Sequence, residues 1–328
     1  MYIKFYAHCI PVLGASSGCI YDLQRGCLYN VPNAILELLL KNQNTDVNSI
    51  IEKNKTQTIV LQKYLDFFLE NELIFYTDEP KNFPPIELNY RLPFELDTVY
   101  LEIEELQKYK ISFLETQVEG LGVTNIVFIA NEIPKDFAFI DRTFDIFKFS
   151  RIQYISFILP FDKKLRKKIN SIHKNEFKIF ETIFYNAPKT RKTKSRVYYY
   201  TADLNCVLSR TVKDIADFHI NRDLFILSNI GNPHYYRSAY IDNRGDLKNS
   251  KCSTLTYGNI FENNLADLIK DKQFRKVWYI TKDKIEVCKD CQYRYICNDT
   301  RIPEYGSKGQ YTHTSKCVYN PYEDKWYV

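Results

Sequence analysis

The sequence predicts a protein of mixed α+β and α/β class that is built from three parts. Strand and helix patterns over residues 1–80 predict a winged-helix-like domain. Four apolar, strand-like runs follow with starts about 25–28 residues apart, which is the spacing of repeated βα units. Four cysteines gather between positions 288 and 317, so residues 237–328 are predicted to form a metal-binding domain.

The N-terminal part reads as a hairpin, three helices and a returning strand. Its clearest element is the helix predicted over 56–72, because apolar residues recur there at i, i+3, i+4 and i+7. These residues form one face and are Leu61, Tyr64, Leu65 and Phe68. The other predicted elements are strands over 1–13, 19–25 and 73–76, a helix over 34–41 that follows Pro32, and a short helix capped by Thr45 or Asp46 and ending at Ile51.

A proline-rich linker is predicted over 81–96, and a βα domain over 97–236. The strand-like runs of this domain are almost continuously apolar, which is typical of a parallel sheet covered on both faces. We therefore expect an open sheet or a partial (βα) barrel. The predicted strands are 98–103, 125–130, 153–159, 178–184, 197–200 and 222–228, the predicted helices are 109–121, 135–147 and 162–174, and a hairpin is predicted from 237–242 to 246–251.

Four thiols near the C-terminus carry the clearest chemical signal. Cys288 and Cys291 have the two-residue gap that lets both sulfurs of one tight turn reach a single metal. Cys297 returns after five residues, and Cys317 completes the set. This spacing is typical of a tetrahedral zinc site and equally of an iron–sulfur cluster. A disulfide pair is the disfavoured alternative, because nothing in the sequence indicates export.

Composition excludes several function classes. A net charge of +5 over 328 residues is too mild to demand a nucleic-acid partner. No apolar run reaches the length of a membrane span, and the start at Met1 lacks the core of a signal peptide, so we expect a cytoplasmic protein without a membrane partner. No glycine-rich phosphate loop is present. Cys9, Cys19 and Cys27 fit no common metal motif and are expected to be idle thiols, and His8 is expected to be structural or exposed.

A wider pattern surrounds the clustered cysteines. It consists of Gly258–Ile260, Trp278–Ile285, Cys288–Cys297 with Arg294, Asp299–Arg301, and Cys317–Trp326. Together these segments resemble a SPASM domain, the auxiliary-cluster domain of many radical-SAM peptide-modifying enzymes. The sequence of these segments is most similar to the SPASM-domain peptide maturase of grasp-with-spasm systems. In those systems such a protein works with an ATP-grasp ligase and a ribosomally made precursor peptide. The resemblance is strong over 237–326, fainter over 1–80 and weak between them.

In the N-terminal part, Ile20–Arg25 and Tyr29–Pro32 carry the fainter resemblance. The region is similar to the small leader-recognition domains of peptide-modifying enzymes. Those domains bind the leader of a precursor peptide as an added strand on a sheet edge, beside a helix. A structural cap without a ligand is the alternative interpretation. The sequence does not identify the residues that would contact a peptide.

The βα domain lacks the motif that defines radical-SAM enzymes. Such a barrel carries a Cys-x3-Cys-x2-Cys loop after its first strand, which holds the cluster that cleaves S-adenosylmethionine. Here the first strand is followed by Glu104-Glu-Leu-Gln-Lys, and no cysteine lies between Cys27 and Cys206. The resemblance therefore implies a degenerate radical-SAM-like domain, and no cleavage of S-adenosylmethionine is expected.

The resemblance also implies how the cysteines divide between two sites. The complete set consists of Cys288, Cys291, Cys297 and Cys317. A second site would draw on Cys206 and Cys252, but Thr300 stands where a further thiol is needed. Two thiols do not hold a four-iron cluster, so we expect this second site to be degenerate.

These observations favour an accessory protein over an enzyme. In this interpretation the N-terminal domain binds the leader of a precursor peptide and the chain cooperates with an ATP-grasp ligase. One four-cysteine site holds either a 4Fe-4S cluster or zinc. The alternative is an iron–sulfur redox enzyme acting on a peptide, and a weaker alternative is a winged-helix nucleic-acid-binding protein. No catalytic residue is assigned, because the sequence contains no recognisable pattern of a nucleophile with its general base.

Overall fold

The structure is a computed structural model and describes residues 1–43, 45–89, 94–103, 117–134, 149–173, 178–307, 309–313 and 315–327, with the single positions 137, 138, 140, 141 and 147. Antiparallel sheets and three helices form the N-terminal part, and a large, mostly parallel sheet forms the middle. Short turns and two-stranded ribbons form the cysteine-rich end. The predicted mixed α/β class is confirmed at this level.

The N-terminal part contains two antiparallel sheets and three helices. Its elements are β1 (Tyr2–Phe5), β2 (Cys9–Val12), β3 (Gly18–Asp22), β4 (Cys27–Val31), α1 (Asn33–Lys41), α2 (Val47–Lys53), α3 (Thr58–Glu70) and β5 (Ile74–Thr77). β1 pairs with β5, while β2, β3 and β4 form a separate sheet with β3 in the middle. The predicted helices are confirmed, with Pro32 before the first turn of α1 and the Asp46 side chain capping α2.

Four strands precede the helices, so the prediction of a single hairpin is wrong. Residues 1–13 divide into two strands at a turn, in which the Cys9 N–H donates to the Tyr6 carbonyl at 2.9 Å. Strand β4 was missed because it follows a tight turn that carries no two-residue hairpin signal. The Asp22 carboxylate stabilises that turn by accepting two backbone N–H groups, at 2.8 and 3.0 Å.

Apolar side chains of α3 and β3 form the N-terminal core. The predicted apolar face of α3 is confirmed, because Leu61, Leu65 and Phe68 are buried and Tyr64 packs against them half-buried. Ile20 of β3 is fully buried in the same core. The helices therefore cover one face of the β2-β3-β4 sheet.

The middle part is an eight-stranded sheet with flanking helices. Its elements are β6 (Thr98–Glu102), β7 (Asn125–Ile129), β8 (Tyr154–Pro160), α4 (Lys163–Ile172), β9 (Ile179–Tyr185), β10 (Arg191–Lys192), β11 (Val197–Tyr199), α5 (Leu204–Leu208), α6 (Arg222–Ile230), β12 (Ser238–Ile241) and β13 (Leu247–Lys248). The spatial order is β10-β11-β9-β8-β7-β6-β12-β13. All neighbours from β11 to β12 run parallel, and the two edge strands run antiparallel. Within the described residues the two edges do not pair, so the sheet is open.

The predicted βα units account for most of this sheet. The strand predictions for β6, β7, β8, β9 and β11 are confirmed, as is the hairpin between β12 and β13, where Gly245 has φ +86°. Asp162 caps α4 by accepting the N–H groups of Lys164 and Leu165 at 2.8 Å. The helices predicted over 109–121 and 135–147 lie largely outside the described residues. Residues 117–119 are helical, and Gly122 follows in the left-handed region at φ +71°.

The prediction of a strand over 222–228 is wrong. Arg222–Ile230 is helix α6, and its first turn is capped by the Asn221 side chain, which accepts from the Leu224 N–H at 2.8 Å. Phe225 and Ile226 are buried against the N-terminal sheet. Short apolar runs are ambiguous between strand and helix, and here the capping residue was the signal that decided the structure.

The cysteine-rich end has little regular structure. Its elements are α7 (Leu265–Leu268), α8 (Lys272–Arg275), β14 (Glu304–Tyr305), β15 (Tyr311–Thr312), β16 (Tyr319–Asn320) and β17 (Lys325–Trp326), with 3-10 turns at Lys276–Tyr279, Lys282–Lys284 and Cys288–Asp290. The rings of Tyr293, Tyr319 and Trp326 pack together with centroids 4.8–6.1 Å apart and stabilise this region. Among the described helices, none has the length and apolarity needed to cross a bilayer.

Packing inside the parallel sheet predicts a stability difference between two phenylalanines. Phe157 of β8 is fully buried and stacks on Phe128 at 5.7 Å, whereas Phe180 of β9 is exposed. We expect Phe157→Ala to lower the free energy of unfolding by about 3–5 kcal/mol. The matched control Phe180→Ala should cost less than about 1 kcal/mol. Urea unfolding followed by circular dichroism measures both, and equal costs would contradict the described packing.

Candidate functional site

The four C-terminal cysteines lie on turns that face one another. Cys288 opens a 3-10 turn, and the Cys291 N–H closes it by donating to the Cys288 carbonyl at 3.0 Å. The Tyr293 N–H donates to the Cys291 sulfur at 3.4 Å. Cys297 and Cys317 approach the same region, and all nine cysteines of the chain are described and free. The four free thiols therefore lie near one another, close enough for charge on Cys288, Cys297 and Cys317 to act on Cys291.

Burial, reinforced by neighbouring negative charge, raises the pKa of three of these thiols, Cys288, Cys291 and Cys297. Desolvation raises the pKa of Cys297 to about 12, with the charges of Asp299 and Cys288 adding to the rise and that of Lys282 opposing it. The pKa of Cys291 is also raised, mainly by burial and further by charge on Cys297, Cys288 and Cys317. A bound metal would have to supply the positive charge that turns these thiols into thiolates.

The four C-terminal sulfurs are not gathered as closely as the ligands of a single zinc ion. Zinc holds thiolates at about 2.3 Å, which places tetrahedral sulfurs about 3.8 Å from one another. Within the described residues, no three of the four C-terminal sulfurs lie within 4.8 Å of each other. An iron–sulfur cluster binds each thiolate to a different iron and so accommodates wider spacing.

A buried ionic cluster borders the cysteines. Lys282 is 1% exposed, and its ammonium nitrogen lies 3.4 Å from a carboxylate oxygen of Asp299. Among the described residues, this nitrogen has no hydrogen-bond partner. Arg301 binds the same carboxylate through its Nε at 2.9 Å and through a second nitrogen. Two cations thus share one anion beside the thiols of Cys288 and Cys297. This excess positive charge is suited to an anionic metal–thiolate centre.

The cysteine segment is docked onto the N-terminal sheet. The Gln292 carbonyl accepts from the Cys19 thiol at 3.2 Å and from the Tyr21 hydroxyl, both on β3. The Arg294 guanidinium donates to the Leu13 carbonyl at 2.8 Å. Cys19 and Tyr21 are fully buried, so the face of β3 opposite the helices is covered by the cysteine-rich end.

The residues predicted for a degenerate second site are placed differently from the complete set. Cys206 lies on helix α5, and both Cys206 and Cys252 are exposed. Thr300 is buried, and its hydroxyl donates to the Leu208 carbonyl at 2.9 Å and accepts from the Arg210 N–H at 2.7 Å. The position where a further thiol would be needed is therefore occupied by a side chain that joins two backbone segments.

A polar cavity of about 580 Å³ lies at the carboxyl ends of β6, β7 and β12. Open α/β sheets commonly bind ligands at this edge. Here the buried Glu102 carboxylate accepts from Lys251 at 2.7 Å, from Tyr240 at 2.5 Å and from Asn131 at 3.1 Å. The described charges at this edge are paired with one another, and the sequence did not single them out.

The free edge of β4 lies beside helix α3. Within the described residues β4 pairs only with β3, so its outer N–H and C=O groups face away from the sheet. Tyr29 of β4 packs edge-on against Phe67 of α3 with ring centroids 6.0 Å apart. Phe67 is 40% exposed, and Val60, two helical turns earlier on the same face, is also exposed. Among the described residues, the unpaired outer edge of β4 and an apolar stripe of α3 therefore lie side by side.

Sequence reasoning missed one group of potential ligands. The side chains of His8, Cys9 and Asp22 place a nitrogen, a sulfur and an oxygen within 4.8 Å of one another. His8 and Cys9 were interpreted as structural or idle residues. The signal was the register of two strands, which brings Asp22 opposite Cys9 and which spacing along the chain does not reveal.

Comparisons with known proteins find solved structures of low similarity and no matching sequence. No family model and no curated protein sequence matches the chain. A crystal structure of Streptococcus suis SuiB bound to S-adenosylmethionine aligns over 90% of this chain and 94% of that one, with 12% identity and a TM-score of 0.35. SuiB bound to the precursor peptide SuiA aligns over the same shares with 12% identity and a TM-score of 0.30. Scores this low do not establish a shared fold.

The buried ionic cluster predicts a large cost for removing its single anion. Asp299→Asn keeps the shape of the side chain but leaves Lys282 and Arg301 buried without a countercharge, so we expect a loss of about 3–5 kcal/mol. The control Asp283→Asn breaks a partly exposed pair with Arg294 and should cost less than about 1 kcal/mol.

Tryptophan fluorescence during urea unfolding measures this difference, because both tryptophans of the chain, Trp278 and Trp326, lie in the cysteine-rich end. Equal midpoints for Asp299→Asn and Asp283→Asn would show that the Asp299 carboxylate does not carry the countercharge.

Proposed function

We propose that this protein is an accessory factor in the maturation of a ribosomally made peptide, and that it binds an extended segment of the precursor at the free edge of β4. The observation that carries the proposal is the unpaired β4 edge beside the exposed apolar stripe of α3. Such an edge binds a peptide through main-chain hydrogen bonds, and pockets for alternate side chains supply selectivity. The resemblance of residues 1–80 to leader-recognition domains supports the same assignment.

The surroundings of the two edges of the β2-β3-β4 sheet differ. On the β2 side, the Arg294 guanidinium and Asp290 backbone of the cysteine segment bind the chain just after β2, at Leu13 and Ala15. On the β4 side, Tyr29 and Phe67 present aromatic surface next to free backbone groups. A peptide strand added at β4 would extend the sheet and place alternate side chains against α3.

The proposal assigns the cysteine centre a 4Fe-4S cluster held by four thiolates. The ligands would be Cys288, Cys291, Cys297 and Cys317. Three observations support a cluster over a single zinc ion: no three of the sulfurs lie within 4.8 Å of one another, a backbone N–H donates to the Cys291 sulfur, and excess cations are buried beside the thiols. A cluster with four protein ligands supplies rigidity and, with a redox partner, one-electron transfer. Lys282 and Arg301 would offset its negative charge.

Cooperation with an ATP-grasp ligase is part of the proposal. It rests on the resemblance of residues 237–326 to the grasp-with-spasm maturases. In this arrangement the ligase supplies ATP and magnesium, and this chain supplies the bound precursor. The protein would act by presenting the peptide rather than by a reaction of its own.

Substitution on α3 tests the peptide-binding edge. Phe67→Asp places a charge on the apolar stripe beside Tyr29, and we expect it to weaken peptide binding at least tenfold, about 1.4 kcal/mol or more. Leu255→Asp is the matched control, because it introduces the same charge at an exposed apolar side chain of the cysteine-rich end.

The probes are fluorescent synthetic leader segments of short peptides encoded beside the gene, and anisotropy titration measures their affinity. Binding by the unmodified chain with loss only in Phe67→Asp supports the proposal. If no leader segment binds, or if both variants bind as the unmodified chain does, the β4 edge is not a leader site.

Metal analysis tests the cysteine centre separately. After anaerobic purification we expect about four irons and four sulfides per chain, and none in Cys297→Ser, because a four-iron cluster needs its full set of ligands. Cys206→Ser is the matched control and should retain the full content, since that thiol is exposed on α5. Twice the iron, or loss of iron in Cys206→Ser, would show that the second site is not degenerate. Zinc without iron in the Cys297-dependent site would refute the cluster.

A further inference from the structure

The turn between β1 and β2 and the end of β3 bring together three side chains of different ligand chemistry. The Nε2 of His8 lies 3.9 Å from a carboxylate oxygen of Asp22, and the Cys9 sulfur lies within 4.8 Å of both ligand groups. Cys9 and Asp22 are buried and directly opposite in the β2–β3 register. Directly opposed residues of antiparallel strands project from the same face of the sheet, so this convergence is fixed by the backbone.

Neighbouring groups orient each of the three side chains. The ring of Tyr6 stacks on that of His8 at 5.6 Å. The Cys9 thiol lies 3.8 Å from the Glu72 carbonyl, at the end of α3. The Oδ1 of Asp22, which is the oxygen that faces His8, accepts the two backbone N–H groups of its turn, and Oδ2 accepts from Arg25 at 3.3 Å. Metal ligands are commonly held in place by such outer contacts.

We infer that His8, Cys9 and Asp22 form a second metal site, which takes one zinc-like divalent cation and is independent of the C-terminal cysteines. An imidazole, a thiolate and a carboxylate are each zinc ligands, and zinc sites with three protein ligands leave a fourth position open. Magnesium and calcium are excluded by the same donors, because both require oxygen ligands.

A fourth protein ligand stands near this position. Cys27 of β4 is paired with Asp22 across the β3–β4 register, so its thiol projects from the same face. It is exposed and lies 3.7 Å from the Arg25 carbonyl. Rotation about its Cα–Cβ bond would turn the sulfur toward Asp22. A cation at this site would join β2, β3 and the start of β4, the strand whose outer edge is proposed to receive the peptide.

Zinc uptake by the full-length chain tests the site. Each protein is purified anaerobically with its C-terminal centre in place, freed of loosely bound metal and titrated with zinc chloride against a chromophoric chelator. We expect the unmodified chain and Cys206→Ser to bind about one zinc equivalent more than Cys9→Ser and His8→Asn. Cys9→Ser and Cys206→Ser each remove one thiol, so subtracting the zinc uptake of one from that of the other removes the contribution of the C-terminal cysteines.

The His8→Asn variant and a melting-temperature measurement complete the test. Cys9 is buried and its replacement risks misfolding, whereas His8 is partly exposed, so His8→Asn carries the test if Cys9→Ser does not fold. Zinc should also raise the melting temperature of the unmodified chain and of Cys206→Ser, but not that of His8→Asn. Equal zinc uptake by His8→Asn and Cys206→Ser would overturn the inference. This result does not depend on whether any peptide binds at β4.

Discussion

Strand β3 is covered on both faces, and the arrangement of the N-terminal and cysteine-rich parts depends on this burial. Ile20 enters the core beneath the helices, while Cys19 and Tyr21 face the opposite way and bind the Gln292 carbonyl. Burying a backbone carbonyl requires hydrogen-bond partners, and β3 supplies both of them. The segment that carries Cys288, Cys291 and Cys297 is therefore held against the first sheet rather than suspended on a flexible tail. The same docking binds the chain just after β2, whereas the outer edge of β4 has no strand partner among the described residues.

The parallel sheet was the part of the fold most accessible to sequence reasoning. Runs such as 154–160 are long and apolar and recur at a regular interval, so periodicity alone located them. The strand prediction over 222–228 is wrong because a short apolar run is compatible with either helix or strand, and the Asn221 cap decides in favour of a helix. Strand β4 was not predicted because it depends on pairing with β3 across a turn that has no strong sequence signature.

Prediction of the sites met the same limit. The interval between Cys288 and Cys291 is a local property, so spacing was sufficient to mark those thiols. The charge environment of the thiols depends on two segments that meet in the fold, because Lys282 approaches from one turn and Asp299 and Arg301 from the segment after Cys297. The grouping of His8, Cys9 and Asp22 depends entirely on strand register, which brings together residues that have no diagnostic interval. Sequence reasoning identifies ligands that are close along the chain and misses those joined by a sheet.

Alternation along β3 connects the two candidate centres. Asp22 and Ile20 project toward the helices, whereas Cys19 and Tyr21 project toward the cysteine segment. A slip of one residue in the β2–β3 register would exchange these faces, burying a carboxylate against the cysteine segment and removing the donors from Gln292. A cation held by Cys9 and Asp22 would oppose that slip, because its ligands meet only in the observed register. The proposed metal site would thereby stabilise the alignment on which both the docking of the cysteine segment and the free edge at β4 depend.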